Sequence, residues 1–169
     1  TTEIYTLSLH DALPIFIMEK KLPDIPHFLM GHSMGSFIAR IYLSRFSDNW
    51  SGAVIMGTAG GVTGSAPLRS LLEVLCRSKS SKFRPEFSNR LAFGMFNLRT
   101  PEHRTHNDWL SRWEENVDRY NADPLCTFTF TVAGFKDLLN ALMCANSRSV
   151  IENTPTDLPI LFQIGRAHV

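Results

Sequence analysis

Pro26-His27-Phe28-Leu29-Met30-Gly31-His32-Ser33-Met34-Gly35-Ser36 is the stretch from which the rest of the chain can be read. His27 to Met30 is a short, mostly apolar run behind a proline, the pattern of a buried strand. From Met34 on, Phe37, Ile38, Ile41, Tyr42 and Arg45 fall at helical spacing, with an apolar stripe through Ile41 and Tyr42. Gly31 to Gly35 is therefore a very tight turn that carries a strand straight into a helix.

Ser33 stands at the apex of this G-x-S-x-G pattern, which is a nucleophile elbow when a strand precedes it and a helix follows. Such a serine is held in a strained backbone conformation, at about 1–3 kcal/mol. Gly31 and Gly35 flank it where strand and helix pass close, and a Cβ on either is expected to collide with the other element. The helix start directs free N–H groups and positive dipole at Ser33, and the Met34 N–H is placed to hold an oxyanion. His32 is expected to point away from the serine and to pack below the pocket. The competing reading is a surface turn with an idle serine, against which the flanking strand and helix weigh.

Working outward, Phe16 to Leu22 reads as the last turns of a helix, and Pro23-Asp24-Ile25-Pro26 as the turn into the strand. Phe46-Ser47-Asp48-Asn49 is a helix stop. Ala53-Val54-Ile55-Met56, bounded by Gly52 and Gly57, is a second buried strand. Strand, helix and strand make a βαβ unit in a parallel sheet, whose strands are covered on both faces and so are continuously apolar. Gly57 to Gly64 holds four glycines and is expected to be a flexible loop at the carboxyl edge, either a pocket rim or a solvent loop.

From Pro67 to Glu152 the pattern is helical. Leu68, Leu71, Leu72 and Leu75 form one apolar face; Val132, Phe135, Leu138, Leu139, Leu142 and Met143 form another, with Lys136 and Asp137 opposite. Phe83, Phe87, Phe93, Met95 and Phe96 are a dense aromatic and methionine cluster that either lines an apolar pocket or packs its own core, the second being favoured for any one residue. Leu158 to Phe162 is a third strand after the Asn153-Thr154-Pro155 turn.

Gly31-His32-Ser33-Met34-Gly35-Ser36, Phe37-Ile38-Ala39-Arg40 and Ser51 to Gly61 resemble the α/β-hydrolase superfamily, in its lysophospholipase and monoacylglycerol-lipase-like, or serine aminopeptidase-like, branch. Asp108-Trp109-Leu110-Ser111-Arg112 and Tyr120 to Cys126 resemble that group's cap region, and the similarity runs from about Phe16 to Phe162. The resemblance implies a partial α/β-hydrolase fold. Its parallel strands lie near 27–31, 52–56 and 158–163, within core segments 16–65 and 156–163, and a helical cap over 66–155 sits between the second and third. It also implies a serine hydrolase of carboxylic esters, with a lysophospholipid, a monoacylglycerol or a similar small lipid ester as substrate. Ser33 is then the nucleophile that carries the acyl-enzyme, Met34 gives an oxyanion N–H, and no cofactor is involved.

Thr1 to Ile15 and Ile164 to Val169 read as translated sequencing-adapter DNA rather than protein, so His10, Asp11 and His168 carry no functional weight. In the family the catalytic aspartate follows the strand after the cap and the histidine comes later; both are expected to be missing here, which leaves the fragment inactive. His103, His106 and Asp108 have a metal-like H-x-x-H spacing but no third well-spaced ligand, so no metal is expected. Asp118 and Asp123 are expected to be helix-surface or capping groups.

Lys and Arg number 17 against 16 Asp and Glu, too even a balance for nucleic-acid binding or membrane attraction. No run approaches a membrane span in length. Cys76, Cys126 and Cys144 lie far apart, which suggests reduced thiols and a cytoplasmic protein. Two other readings compete with the hydrolase: a non-catalytic lipid or acyl-ligand binding domain, and an epoxide hydrolase or dehalogenase, which needs a carboxylate where Ser33 stands.

Overall fold

The computed structural model describes residues 17, 18, 20–61, 64–78, 82–84 and 104–164. Of the expected adapter-derived segments 1–15 and 164–169, all but Ile164 lie outside the described residues, as do Phe87, Phe93, Met95, Phe96 and His103.

Strands β1 (Phe28–His32), β2 (Gly52–Met56) and β3 (Ile160–Gln163) form one sheet in the order β1-β2-β3. Both pairings are parallel, with Phe28 opposite Gly52 and Ala53 opposite Ile160. Three parallel strands with helices between them are the α/β architecture read from the sequence; the third strand starts two residues later than expected.

Helix α1 (Met34–Leu43) links β1 to β2. It buries Ser36, Phe37, Ala39 and Leu43, one stripe at helical spacing, against both strands. Leu43 and Ile55 are wholly enclosed, and each such side chain contributes about 1.5–3 kcal/mol. The helix stops at Ser44, whose hydroxyl donates to Ile41 O at 2.8 Å. Tyr42 then stacks its ring near Phe46 and Trp50 and holds the exit.

The expectation that all three strands are covered on both faces does not hold. Only β2 is enclosed. In β1, Phe28 is 65% and Met30 61% exposed, while Leu29 between them is half-buried and Gly31 beyond them faces α1; in β3, Leu161 is 61% exposed. A continuous apolar run shows what a strand can bury, and the neighbours present decide what it does bury.

Further described helices are α2 (Ser65–Ser78), α3 (Glu114–Ala122), α4 (Val132–Ala145) and α5 (Arg148–Asn153), with a 3-10 turn at Asp108–Leu110. By its contacts the chain divides into two compact units, residues 1–62 with 140–168, and residues 63–139. The second unit has its own core of Leu72, Val132 and Phe135, flanked by Leu68 and Leu75. Glu73 and Lys136 pair at 3.2 Å beside it. Leu71 and Met143, expected on the apolar faces, are exposed. No helix among the described residues is long and apolar enough to cross a membrane.

Candidate active site

Ser33 joins β1 to α1 with φ 54 and ψ −121, the sole non-glycine with positive φ among the described residues. That conformation costs an L-residue about 1–3 kcal/mol and persists where its surroundings enforce it. The Ser33 N–H donates to Met56 O at 3.0 Å, which pins the corner to the end of β2. The Ser33 carbonyl accepts from the Ser36 hydroxyl at 2.5 Å and the Ser36 N–H at 2.9 Å. With both backbone groups fixed, the side chain stands exposed at the carboxyl edge of the sheet.

Gly31 makes this corner possible. A Cβ there would lie 2.6 Å from Gly35 O, 2.7 Å from Ala39 Cβ and 2.9 Å from Ser36 Cα. Strand and helix touch backbone to backbone at this point, and no side chain fits. Gly35 differs from the sequence-based expectation: a Cβ added there meets nothing within 4 Å, because it points away from the strand. His32 differs too. It is exposed, since the last residue of the edge strand turns outward, rather than packed below a pocket.

The electrostatics at Ser33 are those of an uncovered helix start. The first turn of α1 has no acidic residue, and its leading N–H groups, Met34 included, have no acceptor within the helix. About half a positive charge is concentrated there. The hydroxyl of Ser33 makes no capping bond to this turn. No described histidine or carboxylate hydrogen-bonds it. His27 lies at the amino end of β1, beside a shallow cavity of about 490 Å³ lined by Pro23, Asp24, Pro26, Asp48 and Trp50, at the sheet edge away from Ser33.

Beyond β2, the loop opens with Gly57 at φ 57 and buried Thr58. Arg40, on α1, donates to Thr58 Oγ1 at 3.3 Å, Ala59 O at 3.5 Å, Ala145 O at 2.7 Å and Asn146 Oδ1 at 3.0 Å. Burial pushes the Arg40 guanidinium below its ordinary pKa. Sequence reasoning missed both Ser36 and Arg40. Ser36 carried a signal, a small polar residue on the buried stripe of α1; Arg40 carried none.

In the second unit, Asp108 accepts from the Thr105 hydroxyl at 2.6 Å, from the Thr105 N–H at 3.1 Å and from the Arg104 N–H. The hydroxyl bond from Thr105, then the two backbone donors, hold its carboxyl below the usual carboxylate range. Asp118 accepts from Arg104 at 3.2 Å, and Asp123 caps the turn after α3 by accepting from Leu125 N at 2.8 Å. His106 is exposed. No group of three or more histidine, cysteine, aspartate or glutamate side chains that could hold a metal ion occurs among the described residues.

The chain is similar to known proteins in sequence and fold. The monoglyceride lipase of Mus musculus is 32% identical over 126 residues, 74% of this chain and 37% of that protein. The chain thus spans 37% of the length of the curated relatives it matches. A highly thermostable carboxyl esterase from Bacillus coagulans, solved with glycerol, superposes with a TM-score of 0.78 at 26% identity, over 90% of this chain and 50% of its own. A lipase in its open form gives 0.69 at 21% identity, over 86% and 48%, a likeness of fold. The Hydrolase_4 family model, described as serine aminopeptidase, S33, matches residues 7–167, and the chain belongs to that family of α/β hydrolases.

Proposed function

We propose that Ser33 is the nucleophile of a carboxylic-ester hydrolase whose substrate is a small lipid ester of the monoacylglycerol or lysophospholipid class. The observation that carries this reading is the strained, exposed Ser33 at φ 54 between a strand end and an acid-free helix start. Backbone strain at a solvent-facing serine has no structural use here; it presents the hydroxyl to a ligand. The substrate class is supported by the monoglyceride lipase relatives and by the carboxyl esterase likeness.

The reaction begins when the Ser33 oxygen attacks the ester carbonyl carbon as a base removes its proton. The carbonyl oxygen becomes an oxyanion, held by the Met34 N–H and the dipole of α1. The carbon–oxygen bond to the alcohol breaks, the alcohol leaves with the proton, and the acyl group remains on Ser33. Water then attacks the acyl-enzyme, which releases the acid and restores the hydroxyl.

These 169 residues alone should turn over very little. No described imidazole hydrogen-bonds Ser33, and loss of a triad member removes about 10⁴-fold or more of the rate. We assign the base and its orienting acid to further residues of a full-length polypeptide, the segment 66–155 to its cap, and the protein to the cytoplasm, where its three free thiols persist.

A fluorophosphonate probe tests the reading. The full-length polypeptide should be labelled on Ser33, and its Ser33→Ala variant should not. A full-length polypeptide that binds acyl ligands but takes no label overturns the enzyme and leaves a lipid-binding domain.

A further inference from the structure

Arg40 is half-buried on the helix that follows Ser33, and all four oxygens it meets are neutral. Among the described residues it has no ion pair. Asn146 closes the ring: its Nδ2 donates to Ala59 O at 3.1 Å and to Leu142 O at 2.8 Å. Ala145 ends α4, so its carbonyl has no partner within the helix and carries part of the helix's negative end. That partial charge takes the place of a carboxylate opposite the guanidinium. The planar fork of donors serves the helix end and the loop, at Thr58 Oγ1 and Ala59 O, at once, which an ammonium group could not do.

The segment so held starts beside Ser33. Met56 O fixes the Ser33 N–H, and the loop begins at the next residue. Gly57 turns it at positive φ, and Gly60 and Gly61 stand exposed with no Cβ to brace them. A loop of this composition loses a great deal of chain entropy on ordering. The bonds from Arg40 and Asn146 fix its first part, so the expected flexible loop begins as an anchored one.

We propose that Arg40, with Asn146, is a positioning residue that presets loop 57–61 as a fixed wall beside Ser33, against which the acyl substrate binds. This rests on the reading of Ser33 as nucleophile. Arg40 acts through the loop rather than on the reacting atoms, so its loss weakens binding and spares the chemical step.

The test uses the full-length polypeptide with Arg40→Met, Arg40→Lys and Asn146→Ala. Hydrogen exchange is read at residues 58–61, and labelling by an alkyl fluorophosphonate is resolved into KI and kinact. In Arg40→Met, exchange at 58–61 should rise about tenfold while β2 amides stay protected. KI should rise about tenfold with kinact within about twofold. Asn146→Ala should move both readouts the same way by less, and Arg40→Lys should recover part of the loss. Unchanged exchange at 58–61, or raised exchange with unchanged KI, overturns the proposal. Should Arg40→Met lose β2 protection, Thr58→Val decides, because it removes only the loop's side-chain anchor. A wild-type protein that takes no label refutes the nucleophile reading, and unchanged exchange then refutes the clamp separately.

Discussion

The Ser36 hydroxyl donates to the Ser33 carbonyl at 2.5 Å from a site with no solvent exposure. A buried hydroxyl thereby holds one side of the strained peptide that presents Ser33. Ser36→Ala should destabilise the chain by about 1 kcal/mol, since the Ser36 N–H still serves the same oxygen. The denaturant midpoint measures this. A larger volume should do more harm, and Ser36→Val should cost about 1–3 kcal/mol through overpacking. An unchanged midpoint in both variants would remove Ser36 from the corner's support.

Gly31 and Gly35 should respond oppositely to the same methyl group. Gly31→Ala places a carbon 2.6 Å from backbone at Gly35, so helix and strand must part, at a cost of about 1–3 kcal/mol or more. Gly35→Ala meets open space in a helical position and should be neutral or stabilising by up to about 1 kcal/mol. Thermal melts of the two variants give the comparison, and equal losses would contradict the geometry.

Acid should loosen the 104–121 region before the sheet. The Thr105 hydroxyl, followed by backbone amides, depresses the Asp108 pKa in the folded state. The stabilisation is therefore complete above the unfolded carboxylate pKa of about 3.9 and is lost as pH falls through the lower folded value. Glu73 acts in the same sense through the hydrogen bond from Lys136. Lys136, raised by that same bond, loses its contribution only as pH rises through its folded pKa, above the ordinary lysine value. Fluorescence of Trp109, beside Asp108, should report an acid transition that Asp108→Asn abolishes. Persistence of that transition in the variant would assign it to another carboxylate.

The two outer strands make the chain prone to self-association. β1 and β3 are both edges, and each shows large apolar side chains to solvent, Phe28, Met30, Leu161 and Phe162 among them. Unpaired apolar edges add further strands. On size-exclusion chromatography the 169-residue chain should elute largely as oligomers, and Met30→Lys with Leu161→Lys should shift it toward monomer. A monodisperse, sharply melting wild-type monomer would count against this.

The corner at Ser33 was legible because it is local. A proline, four mostly apolar residues, a glycine, a serine and a helical stripe set strand, turn and helix within one short window, and Gly52 and Gly57 bracket β2 as closely. Burial was less legible, since Phe28 and Leu161 read as core until their neighbours are known. His32 was misjudged because side-chain direction at a strand's last residue depends on what flanks the sheet. Arg40 and Asn146 were invisible. They lie 106 residues apart, and no periodicity links a guanidinium to a distant helix end. Ser36 falls between these cases, marked by its place on the buried stripe but not by its bond.

The register that sets Ala53 beside Ile160 joins strands between which helices α2 to α5 intervene in sequence. Closing so long an intervening stretch carries an entropy cost that rises only with the logarithm of its length. The consequence concerns the order of events during synthesis. The β1–α1–β2 corner, built from near neighbours, can form as soon as it leaves the ribosome, whereas β3 must wait for the residues between it and β2 to emerge. Throughout that interval the flank of β2 that β3 will take is vacant.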